Sequence, residues 1–313
     1  MAAAASPPIV DWSQTPDISI PADMLDGYAR YAETLASDLD AGKPHPFIKH
    51  AAVLLEKAVL VMGHRFRGVG ADIGAGSGAV TALISREPEV ARVYAVEPSV
   101  QMVERVMPAT FRVLDADTSK IVRVIGSFHR LQFPDQSLDF IVAVAALHHA
   151  SDLAGAIAEM HRVLKLGGWA LVLDRWQPDS LTEEEIQRSV DAELPDEVSQ
   201  QYGCPPGTRL TRREFGEHEI RLCEWKTDFL RAGFDIYPFA LYAYGGRWVT
   251  RLLSAATTLF FRWFGDRLLA RRQWHVRGFS YPVDAGWLGE RGPFLSTNLI
   301  MACRKRPPAA RKT

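Results

Sequence analysis

Between residues 68 and 175, short apolar runs alternate with stretches of helical periodicity, and this alternation constrains the fold more than any other feature of the chain. Each apolar run is short enough to be a buried strand and is followed by a segment long enough to be a helix. Strands joined by helices are typical of βα units, which build a parallel sheet. Strands are expected at residues 70–73, 93–96, 140–144 and 169–173, and helices at 78–86, 99–107 and 153–164. We therefore predict an α/β protein.

The rest of the chain adds helices and insertions to this core. Residues 1–20 are rich in Ala and Pro and residues 304–313 are basic, so both ends are expected to be disordered tails. Residues 21–66 are expected to form a helical prelude, interrupted by glycine and prolines at 42–46. The main domain is expected to span 67–303, with insertions at about 177–215 and 245–293, a helix at 217–232 and two further strands at 234–242 and 296–302.

The composition argues against a nucleic-acid partner. The chain carries 36 basic and 37 acidic residues, a net charge of −1, and so has no general positive field. Cys204, Cys223 and Cys303 lack the paired spacing of a zinc site or redox motif and are expected to be reduced thiols. Because the first residues also lack a basic and apolar leader, we expect a cytoplasmic protein.

Residues 247–272 form an apolar segment bracketed by arginines. Its longest apolar run, residues 252–261, is too short to cross a bilayer, so no transmembrane segment is expected. A basic amphipathic helix of this kind can lie on a membrane surface, cover the domain as a lid, or join two copies in a homodimer. The sequence leaves these three alternatives open.

A glycine-rich turn follows the first predicted strand of the core. Residues 72–78 read Asp-Ile-Gly-Ala-Gly-Ser-Gly and lead into a predicted helix, whose first N–H groups are free to bind a ligand. Glu97 ends the next strand, where an acidic side chain can accept hydrogen bonds from ribose hydroxyls. Together they predict a nucleoside site. An NAD site is the main alternative. A dinucleotide site requires the spacing G-x-G-x-x-G, whereas Gly74, Gly76 and Gly78 stand at every second position.

With these motifs, the chain resembles the class I S-adenosylmethionine-dependent methyltransferases. A second block supports the resemblance: residues 133–139 read FPDQSLD, residues 147–149 read LHH, and residues 159–168 read EMHRVLKLGG. The resemblance covers about residues 68–175. It implies a Rossmann-like, doubly wound, mostly parallel seven-stranded sheet with strand order 3-2-1-4-5-7-6, carrying the helical prelude and a helical lid insertion, with S-adenosyl-L-methionine as cofactor.

The same resemblance implies roles for individual residues. The family usually places an acidic residue against the adenine amino group, but this chain has Ser127 and Phe128 there, and Asp115 or Asp117 would replace it only if the loop took another path. The turn would hold the amino acid end of the cofactor, Glu97 its ribose, and the residues after Glu97 its adenine. The full expected set is Asp72, Gly74, Ala75, Gly76, Gly78, Glu97, Pro98, Ser99, Met102, Ser127, Phe128 and Ala145.

Three residues are candidates for the acceptor side of the reaction. His148 and His149 follow one strand and Arg175 follows the next, at the edge where α/β proteins bind ligands. An imidazole there can act as the base for a hydroxyl acceptor, and His149 is the first choice. The alternative is that the histidines only shape the pocket and that Arg175 only anchors a loop.

The acceptor itself is less constrained than the cofactor. In the enzymes that the chain resembles, amino methylation goes with an Asn-Pro-Pro-Tyr or Asp-Pro-Pro-Tyr tetrapeptide, and neither follows the strand predicted at 140–144. This absence favours O-methylation of a small-molecule, sugar or lipid-linked acceptor over amino methylation. Methylation of nitrogen or carbon, and a non-catalytic scaffold that keeps the fold, remain alternatives. Because no carboxylate cluster stands out and adjacent histidines lack the spacing of a helical ligand pair, no metal is expected.

Overall fold

The structure, a computed structural model, describes residues 6–13, 22–43, 62–177, 179–201, 209–238 and 298–306, together with positions 55, 59 and 207. Its central feature is one sheet of eight strands. The strands are β1 (Ile9–Asp11), β2 (Gly68–Ile73), β3 (Val90–Glu97), β4 (Ile121–Ile125), β5 (Leu138–Val144), β6 (Leu164–Arg175), β7 (Phe234–Pro238) and β8 (Asn298–Lys305).

The order of the strands across the sheet is β1-β4-β3-β2-β5-β6-β8-β7. Strands β1 to β6 pair in parallel, whereas β8 runs antiparallel to both β6 and β7. Without β1, this is the predicted order 3-2-1-4-5-7-6, so the doubly wound α/β fold is confirmed. Seven strands were predicted, and the described residues form eight.

The additional strand comes from the segment that the sequence analysis assigned to a disordered tail. β1 joins the edge of the sheet beside β4, with Ile9 opposite Arg123. The Arg123 side chain is buried and donates to the carbonyl of Pro7 and to the hydroxyl of Ser6. Burying a guanidinium is costly unless it is hydrogen-bonded, so these bonds fix the segment at the sheet edge. No sequence pattern had indicated this pairing.

Helices cover both faces of the sheet. The helices are α1 (Ala22–Asp40), α2 (Ala79–Ser85), α3 (Met107–Val113), α4 (Leu153–Val163), α5 (Glu183–Val190), α6 (Asp196–Gln201) and α7 (Leu222–Ala232), and a π-helical turn at Met102–Val106 leads into α3. On one face α4 and α7 bury Met160, Trp225 and Phe229, and on the other α2 and α3 bury Ile84 and Phe111. The central strands β2 and β5 are nearly continuous apolar runs because both of their faces are buried.

Two predicted segments fall wholly or largely outside the described residues. They are the insertion at 245–293, with the arginine-bracketed segment 247–272, and the second half of the helical prelude. Within the described part of the chain, no helix is long and apolar enough to cross a membrane.

Candidate functional site

The glycine-rich turn runs from the carboxyl end of β2 into α2, as the sequence predicted. Gly74, Gly76 and Gly78 all have positive φ angles, of 66°, 51° and 78°, in the left-handed region that favours glycine. A Cβ at Gly74 would overlap the methyl group of Ala146, whereas a Cβ at Gly76 would meet no atom within 4 Å. The turn is therefore packed on one side, at Gly74, and open at Gly76.

Asp72 fixes the turn from within the protein. Its buried carboxylate accepts hydrogen bonds from the backbone N–H of Thr81, at 3.0 Å, and from the Thr81 hydroxyl, at 2.7 Å. Burial raises the pKa of Asp72 to about 6, although both hydrogen bonds act in the opposite direction. Asp72 thus ties the end of β2 to the first turns of α2 and brings a partly ionised group to the site.

Glu97 lies at the carboxyl end of β3 and joins the turn to the next loop. One carboxylate oxygen accepts from the N–H of Gly76 at 2.9 Å, and the other accepts from the N–H of Ser99 at 3.0 Å. Burial is the main reason that the pKa of Glu97 rises to about 7, and the nearby Asp72 carboxylate raises it further. A buried acid of this kind is available to exchange its backbone partners for the hydroxyls of a ligand.

The loops after β3 and β4 lie side by side next to Glu97. The N–H of Gly126 donates to the Glu97 carbonyl at 3.1 Å, which places Ser127 and Phe128 beside the start of the loop after β3. Ser99, Met102, Ser127 and Phe128 are buried, and Pro98 is half-buried. The structure therefore gathers the predicted adenine-side residues at one edge of the sheet.

The two aspartates considered as replacements in the adenine contact lie elsewhere. Asp115 and Asp117 precede β4, and the N–H of Asp117 donates to the Ser85 hydroxyl at the end of α2. Ser127, by contrast, follows the carboxyl end of β4. Both aspartates are therefore at the opposite, amino edge of the sheet.

A second group of polar side chains lies at the carboxyl ends of β5 and β6. After β5, Ala145 has a φ of 51°, is exposed, and donates its N–H to the Leu173 carbonyl at 2.8 Å. The 3-10 turn Leu147–His149 follows directly. Ala146, the residue just before this turn, packs so closely on Gly74 that a Cβ at Gly74 would overlap it. The histidine turn therefore begins beside the glycine-rich turn.

Asp174, at the end of β6, organises the histidine turn and was not singled out from the sequence. It accepts from the N–H groups of Leu147 and His148, at 2.9 and 3.2 Å, and contacts Nδ1 of His148 at 2.7 Å. Burial by itself would raise the pKa of Asp174, but His148 and the N–H of Arg175 outweigh burial and lower it. Asp174 is thus an ionised group that orients His148. Its position at the end of a predicted strand was the signal in the sequence that could have identified it as a site residue.

His149 packs against His148, with ring centroids 4.1 Å apart, and is half-buried. Its Nδ1 lies 3.3 Å from the carbonyl oxygen of Gly216. Burial, and to a lesser degree His148, lower the pKa of His149 to about 4. An effective general base has a pKa near the working pH, so His149 is a neutral imidazole and a weak base at pH 7.

Glu217 is the third group beside the histidines. A guanidinium nitrogen of Arg175 lies 2.7 Å from one of its oxygens, and Nε2 of His148 lies 3.9 Å from the other. The sequence had assigned Glu217 to a helix, but α7 begins only at Leu222. Glu217 instead lies in the connection before α7, where the N–H of the next residue, His218, donates to the His148 carbonyl at 2.8 Å. This backbone hydrogen bond brings Glu217 to the site.

The chain matches known methyltransferases over the segment that carries the glycine-rich turn, Glu97 and the histidine turn. The family model described as a methyltransferase domain matches residues 71–172. Among curated proteins, a sterol 24-C-methyltransferase of Gibberella zeae is 36% identical over 96 residues, which are 29% of this chain and 24% of that protein. An uncharacterized methyltransferase of Bacillus subtilis, YcgJ, is 34% identical over 108 residues, 34% of this chain and 41% of that protein. The chain thus spans less than half the length of these relatives.

Solved structures show the same fold at lower identity. The crystal structure of YcgJ superposes with a TM-score of 0.53 and 21% identity, covering 82% of this chain and 99% of that chain. The [4+2]-cyclase SpnF superposes with a TM-score of 0.54 and 16% identity, covering 97% and 99%. These comparisons support the resemblance seen in the sequence: residues 71–172 match the methyltransferase-domain model, and the chain has the same fold as YcgJ.

Proposed function

We propose that this chain transfers a methyl group from S-adenosyl-L-methionine to a hydroxyl oxygen of a small-molecule, sugar or lipid-linked acceptor. The observation that carries the proposal is the bond between the Glu97 carboxylate and the N–H of Gly76. It joins a buried acid to the open position of the glycine-rich turn, within the segment that matches the methyltransferase family. The ribose hydroxyls of a nucleoside cofactor would bind the acid, and its charged amino acid end would bind the turn.

The charges of the site suit this cofactor. S-adenosyl-L-methionine carries a positive sulfonium, and Asp72 and Glu97 are two buried carboxyl groups close enough for the charge of one to raise the pKa of the other. A bound cation favours the ionised form of nearby acids, so each stabilises the other. In this arrangement Gly74, Ala75 and Gly76 hold the amino acid end and Glu97 the ribose.

The adenine is proposed to lie between the loops after β3 and β4. Met102 and Phe128 supply apolar surface there, and Ser99 and Ser127 supply polar atoms. Ser127 is already engaged with Nδ1 of His129, 3.0 Å from its hydroxyl oxygen. We therefore expect apolar packing, more than a carboxylate contact, to hold the adenine.

The acceptor is proposed to bind beside His148, His149 and Arg175. Methyl transfer from a sulfonium is a direct displacement, so alignment of the acceptor oxygen with the methyl carbon supplies much of the rate. Asp174 fixes the orientation of His148, and Glu217 fixes that of Arg175. Because the similarity to the sterol 24-C-methyltransferase covers only 29% of this chain, the choice of oxygen over carbon or nitrogen rests on the absent amino-methylation motif and on this polar edge.

Calorimetric titration with S-adenosylmethionine, S-adenosylhomocysteine and NAD tests the cofactor. We expect micromolar binding of the first two and none of NAD. Gly76→Val should abolish binding, because its side chain would fill the open position of the turn. Gly42→Val is a matched control, since Gly42 also has a positive φ, of 76°, and would also place its Cβ in open space. Equal binding by the two variants would refute the assignment of the turn.

A panel of hydroxyl, amine and activated-carbon acceptors then tests the reaction. The enzyme should release S-adenosylhomocysteine only with a hydroxyl acceptor, and mass spectrometry should find the methyl group on oxygen. Methylation of carbon or nitrogen would refute the oxygen assignment while leaving the cofactor assignment intact. Cofactor binding with no transfer to any acceptor would favour the non-catalytic scaffold.

A further inference from the structure

The three side chains His148, His149 and Glu217 each bring one ligand atom into a group in which all ligand atoms lie within 4.8 Å of one another. His148 is buried and the other two are half-buried. Two imidazoles and a carboxylate are a common ligand set for divalent transition metals. We propose that His148, His149 and Glu217 bind a divalent transition-metal ion, with Zn²⁺ the best match to this set. The sequence interpretation had expected no metal.

Hydrogen-bond partners behind the histidines support this assignment. A metal-binding histidine usually donates its second ring N–H to a carboxylate or a backbone carbonyl, which fixes its tautomer and its orientation. Nδ1 of His148 contacts Asp174 at 2.7 Å, and Nδ1 of His149 faces the Gly216 carbonyl at 3.3 Å. Both contacts favour a proton on Nδ1. They leave Nε2 of each ring with the free lone pair that a metal requires.

The hydrogen-bonding state of Glu217 is the second line of support. One of its oxygens is buried and has no directed hydrogen bond, although the guanidinium of Arg175 lies 2.7 Å away. The other oxygen faces His148 at 3.9 Å, beyond hydrogen-bond reach. Glu217 therefore has lone pairs available for a cation.

The local charge balance leaves room for a cation. Three carboxylates, Asp174, Glu217 and Glu219, lie near two guanidinium groups, those of Arg175 and Arg212. The Arg212 guanidinium is bonded to Glu219 and is 3.9 Å from Glu217. The three carboxylates and two guanidinium groups together sum to one negative charge. A divalent ion would be attracted there, whereas a further acidic ligand would be repelled.

Metal binding requires the ligand atoms to move closer together. With Zn–N distances of about 2.0 Å, tetrahedral ligands are separated by about 3.3 Å, so the widest pair must close by roughly 1.5 Å. Glu217 is able to supply this movement because it lies in a connecting segment before α7 and not within the helix. Three protein ligands also leave a fourth position free for water or a hydroxyl, which is typical of catalytic zinc sites.

The site contacts the proposed cofactor turn through Ala146, which precedes the histidine turn and packs on Gly74. An acceptor hydroxyl that takes the fourth metal position would lie at the same edge of the sheet as this turn. Only this last step rests on the proposed methyl transfer. Metal binding itself is argued from His148, His149 and Glu217 alone and is measured without cofactor or acceptor.

The test is a titration of the cofactor-free protein, with its affinity tag removed and bound metals chelated away, with Zn²⁺ by calorimetry. One equivalent should bind to the wild type. Binding should be lost in His149→Gln and in Glu217→Gln. Asp174→Asn should bind about 10- to 100-fold more weakly, because the partner behind His148 is changed. His218→Gln is the matched control: it removes a histidine beside Glu217 that does not belong to the group, and should bind like the wild type.

A second measurement does not depend on any variant folding. Co²⁺ added to the metal-free wild type should give visible absorption of a four-coordinate nitrogen and oxygen site, without a thiolate charge-transfer band. Failure to bind Zn²⁺, retention of binding in both ligand variants, or an equal loss in His218→Gln would overturn the proposal. Titration of His149→Gln with S-adenosylhomocysteine separates the two proposals, since cofactor binding should persist when metal binding is lost.

Discussion

Replacing Glu97 with glutamine should change how the stability of the cofactor-free protein depends on pH. The folded protein raises the pKa of Glu97 from 4.5 to about 7, mainly through burial. An acid with a raised pKa stabilises the fold below its unfolded pKa, and this stabilisation is lost as the pH rises through the folded value. Between pH 5 and pH 8, Glu97 alone should therefore cost about 2 to 3 kcal/mol of unfolding free energy. A glutamine side chain at this position does not titrate, so the variant should lack this loss.

Urea denaturation at pH 5 and pH 8 measures the effect. The variant loses a hydrogen bond to Gly76 or Ser99, so its absolute stability at pH 5 should be lower. The quantity to compare is the change between the two pH values, which should be smaller in the variant by about 2 to 3 kcal/mol. Asp72 titrates in both proteins, and Glu89→Gln, at an exposed glutamate, is the control. Parallel pH dependences in wild type and Glu97→Gln would refute the reasoning.

Three further predictions follow from the same structure. Gly78→Ala should destabilise the fold by about 1 to 3 kcal/mol, measured by urea denaturation, because its Cβ would lie 2.7 Å from the Phe111 ring at a φ of 78°. The affinity for S-adenosylhomocysteine should rise between pH 6 and pH 8, because ribose hydroxyls bind the ionised form of Glu97 best. Calorimetry in buffers of different ionisation enthalpy should then show that binding releases a proton. An affinity independent of pH would contradict this. Arg123→Leu should increase hydrogen exchange at residues 9–11, whereas Arg92→Leu, at an exposed position of β3, should not.

The arrangement of the glycine-rich turn, Asp72 and Glu97 was predictable because local backbone geometry fixes these residues. The positive φ angles of Gly74, Gly76 and Gly78 favour glycine, and this preference leaves a recognisable pattern in the sequence. Asp72 and Glu97 end two neighbouring strands, so strand prediction alone brings them to one edge of the sheet. The order of the core strands followed from the family resemblance and not from the residue pattern by itself.

The arrangement around His148 was less predictable because it depends on contacts between distant segments. Asp174 and His148 are 26 residues apart, and nothing in the spacing indicates that one orients the other. Glu217 reaches the site through a backbone hydrogen bond from His218 to His148, which no side-chain pattern encodes. β4 was missed because Arg123 interrupts its apolar run, although that arginine is buried and hydrogen-bonded to other parts of the chain.

The pairing of β1 has a consequence for the order in which the molecule assembles. Pro7 and its partner Arg123 are 116 residues apart, and the arginine belongs to a strand that must itself first pair with β3. During synthesis the amino-terminal segment leaves the ribosome long before its place in the sheet exists. Contacts between residues so far apart form slowly, because closing a long loop costs conformational entropy before the contact stabilises it. Until β1 pairs with it, the edge of β4 presents unpaired backbone groups that another strand can bind, so β1 protects this edge from mispairing.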